Sequence, residues 1–121
     1  MKLCVTGGRT YADRATLFEV LDMAHALLRI DALAHGHARG ADALADAWCR
    51  ARGVPCVPFP ADWQRHRKAA GPIRNRQMLR AFAPDVLIAF PGGDGTADCV
   101  AAARGMGVRV VDLRGMLRDL G

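Results

Sequence analysis

Asp85-Val-Leu-Ile-Ala-Phe90, followed by Pro91-Gly-Gly-Asp-Gly-Thr96, is the stretch that indicates the fold of this chain most clearly. The apolar run predicts a buried strand, and the three glycines allow a sharp turn after it. Cys99, Val100 and Ala103 then recur at helical spacing. A strand that passes into a helix through such a loop directs free backbone N–H groups and the positive end of a helix dipole at one point. This arrangement favours an anion such as phosphate, although a single loop of this kind can also be a tight turn without a ligand.

The same alternation of strand and helix patterns runs through the 121 residues. It predicts an α/β fold: one Rossmann-like, three-layer domain over residues 1–121, with a mostly parallel five-stranded sheet. The prolines in the third strand suggest an edge position. The predicted strands are residues 3–6, 32–35, 54–59, 85–90 and 108–113, and a short helix is expected over 115–120.

Three glycine-rich loops follow predicted strands and therefore lie at one edge of the sheet. In open parallel sheets, ligands bind beyond the carboxyl ends of the strands, where the strand order reverses. The loops therefore predict a phosphate or nucleotide site. Its candidate residues are Gly7, Gly8, Arg9, Gly36, Gly40, Gly92, Gly93, Asp94, Gly95 and Thr96.

Charge and composition limit the remaining classes of function. The net charge is +5, and no acidic residue lies between Asp62 and Asp85. The basic segment 65–80 in this interval indicates an anionic ligand, a nucleic acid or simply a solvated helix face. No 18-residue apolar run is present, so no membrane span is expected. The four widely spaced cysteines predict free, mostly buried thiols in a cytoplasmic protein.

No cofactor and no metal site is predicted. A cluster of His35, His37 and Asp42 is conceivable as a metal site, but its ligand spacing is not typical of one.

Several motifs together resemble one known family. They are Gly36-x-x-x-Gly40-Ala-Asp42, Pro60-Ala-Asp-Trp63, Ala70-Gly-Pro-Ile-Arg-Asn75 with Met78, and Phe90-Pro-Gly-Gly-Asp-Gly-Thr-Ala-Asp98. In this order they are similar to the YspA-related branch of the SLOG superfamily. The resemblance implies a Rossmann-like domain that binds a nucleotide or nucleotide-derived ligand. Relatives include the lonely-guy phosphoribohydrolases, which cleave nucleoside monophosphates, and the DNA-processing protein DprA.

The resemblance also names catalytic candidates. The enzymes of the superfamily carry Arg-Lys-x-x-Met and Pro-Gly-Gly-x-Gly-Thr-x-x-Glu, which align with Arg74, Asn75 and Met78 and with residues 91–99. Asn75 stands at the lysine and Cys99 at the catalytic glutamate. An enzyme of this kind would be an N-glycosidase that releases free base and ribose 5-phosphate. The missing glutamate leaves open whether the chain hydrolyses a nucleotide or only binds one.

Arg74, Asp42 and Asp98 are the catalytic candidates. A guanidinium can hold phosphate through two hydrogen bonds, and Asn75 beside it can donate to a base or phosphate. A carboxylate can stabilise the oxocarbenium-like sugar of glycosidic cleavage. Asp42 could instead cap its helix, and Asp98 could interact with the helix dipole.

Two further expectations concern partners. The basic segment 65–80 and the kinship with DprA support a nucleic-acid-binding module as the alternative function. Superfamily enzymes commonly dimerise, and a face of Met78, Leu79 and Phe82 could form a homodimer or belong to the core. Trp63 could stack on a base or pack against the domain.

Overall fold

A computed structural model describes residues 1–116. Strands and helices alternate along this part of the chain. The elements are β1 (Lys2–Thr6), α1 (Arg14–Leu28), β2 (Ala32–His35), α2 (Ala41–Arg52), β3 (Cys56–Pro58), α3 (Trp63–His66), a 3-10 turn (Arg67–Ala69), α4 (Ala70–Phe82), β4 (Val86–Ala89), α5 (Asp94–Gly105) and β5 (Arg109–Asp112). The short helix predicted over 115–120 extends into residues 117–121, which lie outside the described part.

The five strands form one parallel sheet in the order β3-β2-β1-β4-β5. The predicted Rossmann-like α/β architecture is therefore confirmed, and β3 with its proline is an edge strand as expected. The strand order reverses at β1, because the chain runs outward through β2 and β3 and then returns to β4 on the other side of β1. A crevice consequently forms between the loops that follow β1 and β4.

Helices cover both faces of the sheet, since successive strand residues point to opposite sides. Leu3 and Val5 of β1 belong to a core cluster with α1 and α2, where Leu17, Leu21 and Trp48 are fully buried. Cys4 of β1 belongs to a second cluster, in which Leu87 and Ala89 of β4 pack with side chains from α4 and α5. These two cores hold the sheet rigid beneath its loops.

The second core selects one of the two alternatives left open for the face of Met78, Leu79 and Phe82. Met78, Leu79 and Phe82 are all buried in it. The face that they form is not available for a homodimer, and the alternative assignment of these residues to the core is correct. All four cysteines are free thiols; Cys4, Cys49 and Cys99 are buried and Cys56 is partly buried.

The element boundaries differ modestly from the sequence prediction. Strands β3, β4 and β5 are shorter than predicted, because the residues at their ends belong to the adjoining loops rather than to the paired sheet. In α1, the helical spacing of Leu17, Leu21 and Leu28 predicts one apolar core face that also includes Leu27, but Leu27 and Leu28 are 76% and 58% exposed. Ile30, just beyond the helix, is instead buried in the first core.

Local sequence signals determine two of the helix ends. Asp13 is the N-cap of α1, where its Oδ1 accepts a hydrogen bond of 3.1 Å from the backbone N–H of Thr16. Gly53 ends α2 in the left-handed conformation, with φ 69°. No helix within residues 1–116 is long and apolar enough to cross a membrane.

Candidate functional site

A cavity of about 460 Å³ opens at the carboxyl edge of the sheet, at the predicted crevice. It lies between the loops after β1, β2 and β4 and the segment from α3 to α4. Most of the residues predicted for the site line it: Gly7, Gly8, Arg9, Gly36, Asp42, Arg74, Asn75, Gly93, Asp94, Gly95, Thr96 and Asp98. Trp63, which was considered for stacking on a base, and Lys68 of the basic segment 65–80 also line it. Gly71 and Pro72 line it as well and had not been predicted to bind the ligand.

The N-terminus of α5 faces this cavity. Gly93 is the N-cap, and Asp94, Gly95 and Thr96 form the first turn. The backbone N–H groups of these three residues have no hydrogen-bond acceptor within residues 1–116, whereas the N–H of Ala97 donates to Gly93 O at 3.0 Å. Three free donors and a helix dipole are therefore directed at one wall of the cavity, and they can bind an anionic oxygen there.

The loop between β2 and α2 uses its backbone groups internally. The N–H groups of Gly36 and Ala38 donate to Asp42 Oδ2 at 3.1 and 3.3 Å, and the N–H of Ala41 donates to Gly8 O at 3.1 Å. Gly40, rather than Asp42, is the N-cap of α2. The prediction that Asp42 could cap its helix is therefore wrong, because its carboxylate reaches back to the preceding loop.

Asp42 is a buried carboxyl group at the bottom of the cavity, with 6% of the residue exposed. Burial raises its pKa above the ordinary value of 3.8, although His35, Arg74 and the two loop N–H groups act in the opposite direction. Asp42 therefore protonates more readily than Asp98, whose pKa is lowered.

Several of the predicted glycines serve loop packing. A Cβ at Gly7 would lie 2.5 Å from Ala41 Cβ. A Cβ at Gly40, whose φ is 74°, would collide with the backbone of Gly8 and Arg9. A Cβ at Gly92 would collide with the side chain of Thr96. Gly40 and Gly92 lie outside the cavity lining. They hold the loops together rather than face the cavity.

Arg74 is fixed in place by backbone carbonyl groups. Its Nη1 donates to Gly36 O and, at 3.3 Å, to Phe59 O, while its Nε donates to Asn75 Oδ1 at 3.0 Å. No carboxylate among residues 1–116 forms a salt bridge with it. A Cβ at Gly36 would lie 2.5 Å from Arg74 Nη1 and 3.0 Å from Asp42 Oδ2, so only glycine allows this approach. The guanidinium is thus held at the cavity by neutral groups, without a direct salt bridge among the described residues.

Asp98 lines the cavity but is paired with Arg76. Its two carboxylate oxygens accept from Nη1 and Nη2 of Arg76 at 3.0 and 3.2 Å. These hydrogen bonds lower the pKa of Asp98 below its ordinary value. The carboxylate therefore has a specific side-chain partner, in addition to any effect of the helix dipole considered from the sequence.

Asn75 connects α4 to α5 and is 4% exposed. Its Oδ1 accepts from Arg74, while its Nδ2 donates to Gly95 O at 3.2 Å and to Asp98 Oδ2 at 3.1 Å. The amide, for which a contact with a base or phosphate is predicted, also joins the arginine to the first turns of α5 and lines the cavity.

Two exposed side chains, Arg9 and Trp63, form the outer wall of the cavity. The guanidinium of Arg9 lies 4.9 Å from the ring centroid of Trp63, which is 46% exposed. A cation above an aromatic face is a stabilising arrangement. The Trp63 ring is therefore not packed into the core, and it offers an apolar surface beside the cavity.

Cys99, which aligns with the catalytic glutamate of the superfamily enzymes, is fully buried in the second core. It does not line the cavity. Burial raises the pKa of its thiol to about 11. At this position the chain contributes packing rather than an acid or base.

The histidine cluster differs from the one considered from the sequence. His35 has Asp46 and Cys56 as neighbours, with possible ligand atoms all within 4.8 Å of one another. His35 Nδ1 accepts from the N–H of His37 at 2.9 Å, so the neutral ring carries its proton on Nε2, 2.9 Å from Asp46 Oδ1. Burial alone would lower the pKa of His35, but hydrogen bonds to Cys56 and Asp46 raise it overall. The cluster forms a satisfied hydrogen-bond network.

Known proteins resemble this chain in two ways. The model of a family described as "YspA, cpYpsA-related SLOG family" matches residues 1–66. A protein of Mycobacterium phage D29, named "Gene 61 protein", is 40% identical over 119 residues, which cover 92% of this chain and 94% of the phage protein. The name of the phage protein describes no activity.

Proposed function

The chain belongs to the YspA, cpYpsA-related SLOG family, and on that premise we propose that its cavity binds a nucleoside phosphate. The family suggests nucleotide-related binding, and the cavity offers groups suited to both parts of such a ligand. The observation that carries the proposal is the N-terminus of α5, whose three free N–H groups face the cavity.

The phosphate is assigned to α5 because backbone donors and the helix dipole act there together. Arg74, Arg9 and Lys68 line the same cavity and add positive charge. Arg74 is pre-positioned by the carbonyls of Gly36 and Phe59, so little conformational entropy is lost when it meets an anion. The exposed ring of Trp63 supplies an apolar surface for a base.

Hydrolysis of the N-glycosidic bond is the second candidate function, and Asp42 is the observation that favours it. In this reaction the bond between C1′ and the base nitrogen breaks; water supplies hydroxyl to C1′ and a proton to the base. A carboxylate near the sugar must stabilise the developing positive charge or accept a proton from water. Asp42 lines the cavity without an arginine or lysine salt bridge among the described residues, whereas Asp98 is paired with Arg76.

Binding of nucleic acid through the basic segment 65–80 is less well supported by the geometry. Arg76 is paired with Asp98, and Lys68 and Arg74 line the cavity. Arg80 lies with Asp85 and Gly107, near the amino end of β4. These four basic residues therefore do not face one surface, as a nucleic-acid groove requires.

The test combines binding and turnover in one nucleotide panel. Calorimetry with AMP, GMP, CMP, UMP and their deoxy forms is run on the wild type, Arg74→Ala, Gly95→Ala and Arg80→Ala. Arg80→Ala is the matched control, since it removes an exposed arginine of the same helix away from the cavity. Chromatography of each mixture then detects free base, with Asp42→Asn as the variant that tests the carboxylate.

We expect at least one nucleotide to bind, with at least tenfold weaker binding by Arg74→Ala and Gly95→Ala, or about 1.4 kcal/mol. Arg80→Ala should bind like the wild type. No binding by the wild type, or equal losses in all three variants, would overturn the proposal. Free base that appears with the wild type but not with Asp42→Asn would establish the glycosidase. Binding without free base would leave a binding domain.

A further inference from the structure

A second cavity adjoins the first at the sheet edge. It has a volume of about 330 Å³ and shares Arg9, Trp63 and Arg74 with the first cavity. Beyond these shared residues it reaches His37 and Arg39 of the loop between β2 and α2. We call this second cavity the annex.

The annex differs from the first cavity in charge. Three acidic side chains line the first cavity, Asp42, Asp94 and Asp98. The lining residues of the annex, all within the described part of the chain, include three arginines and a histidine but no acidic residue. An enclosure lined by one sign of charge concentrates the opposite charge.

None of the three arginines of the annex is directly paired with a carboxylate of the described residues, although the charge of Arg74 acts on Asp42 at longer range. Within residues 1–116, Arg9, Arg39 and Arg74 form no salt bridge. Arg9 rests on the Trp63 ring, and Arg74 is held by backbone carbonyls. Two of these guanidinium groups are therefore fixed by neutral partners, which leaves their charge available to an anion.

The loop that carries His37 and Arg39 is held in a defined shape. His37 has φ 57°, a conformation that costs a non-glycine residue energy. Its N–H donates to His35 Nδ1 at 2.9 Å, and the two imidazole rings stack with centroids 6.3 Å apart and planes 10° apart. The buried His35 thus orients the loop, so that this wall of the annex exists before any ligand binds.

We propose that the annex binds a second phosphate group of the ligand. This inference rests on the proposed function, in which the first phosphate lies at the N-terminus of α5. The ligand is then a nucleotide with two phosphate groups, joined either as a pyrophosphate or through a sugar phosphodiester. Arg74 and Arg9 lie between the two cavities and contact both phosphates, while Arg39 contacts only the second.

Arg39→Ala tests this assignment because Arg39 lines the annex and not the first cavity. Its side chain is exposed, so the substitution should not affect folding. Calorimetry without divalent cations compares AMP, GMP, CMP and UMP with the matching diphosphates and with 5′-phosphorylated homodinucleotides of the same four bases. Arg80→Ala is again the matched control.

The wild type should bind one of the two-phosphate ligands at least tenfold more tightly than the matching monophosphate. Arg39→Ala should abolish that preference and leave monophosphate affinity unchanged. The ligand class that shows the preference identifies the linkage between the phosphates. Monophosphate binding with no gain from a second phosphate, or equal losses for both classes in Arg39→Ala, would overturn this inference alone. No binding of any ligand would overturn the proposed function as well.

Discussion

The two helix-preceding glycine loops at the cavity have similar sequence signatures but different structural roles. The loop at residues 92–95 leaves the N–H groups of Asp94 and Gly95 without acceptors within the described residues. The loop at residues 36–40 directs the N–H groups of Gly36 and Ala38 to the Asp42 carboxylate. Because Gly36 has no side chain, the Arg74 guanidinium can lie against it. For the same reason the backbone of the loop after β1 can lie against Gly40.

A glycine-rich turn before a helix is therefore not sufficient to identify an anion site. Such a turn can bind an anion only if no other part of the protein already accepts hydrogen bonds from its N–H groups. In this chain the first N–H group of α2 is satisfied by Gly8 O, whereas the first three residues of α5 all line the cavity and their N–H groups have no acceptor among residues 1–116. Substitutions in the two loops should accordingly affect stability and affinity in different proportions.

The largest effect is expected for Gly40→Ala. The new Cβ would collide with the backbone of Gly8 and Arg9, and alanine would also have to adopt φ 74°. Backbone strain and overpacking together should lower the free energy of unfolding by roughly 3 kcal/mol or more. Gly53→Ala is the control, because Gly53 has φ 69° but no heavy atom within 4 Å of its Cβ position. That variant should lose only about 1 kcal/mol in urea unfolding. Equal losses would show that the packing of Gly40 contributes nothing.

A smaller, mainly functional effect is expected for Gly36→Ala. Its Cβ would meet the flexible end of Arg74 rather than a backbone atom, so the guanidinium can move aside. We expect at least a tenfold loss of nucleotide affinity, or about 1.4 kcal/mol, with a stability loss of about 1 kcal/mol. The double variant with Arg74→Ala separates the contributions. If Gly36 acts through Arg74, the double variant should bind no more weakly than Arg74→Ala alone.

The smallest effect concerns the carboxyl groups associated with the two loops. The contributions of these two groups to stability should change with pH in opposite directions. The lowered pKa of Asp98 means that its contribution to stability is present above the ordinary pKa of 3.8 and is lost as the pH falls through the folded-state pKa. The raised pKa of Asp42 means that its contribution is present below 3.8 and is lost as the pH rises through the folded-state pKa.

Urea unfolding between pH 3 and 7 should therefore give two opposite trends. Relative to Asp98→Asn, the wild type should lose stability as the pH falls; relative to Asp42→Asn, it should lose stability as the pH rises. The same trend in both comparisons would contradict the different environments assigned to the two carboxyl groups.

The sequence predicted the parallel sheet and the edge where the cavity lies, because strand periodicity and glycine turns are local signals. It also predicted that Arg74 lies at the cavity. It did not predict the partners of Asp98 and Asn75, which lie 22 and 20 residues away along the chain. These pairings depend on how α4 packs against α5, which no local pattern encodes. The exposure of Leu27 was missed for the same reason, since helical periodicity does not show where the neighbouring sheet ends.

The position of β1 between β2 and β4 has a consequence for how the molecule assembles during synthesis. Leu3 pairs with Leu33 on one side and with Val86 on the other. The first pairing can form once β2 has been made, whereas the second must wait until β4 has been made. Contacts so distant along the chain form slowly. Residues 1–58 can thus leave the ribosome with β1, β2 and β3, but the binding cleft is completed only after β4 and α5 have been synthesised.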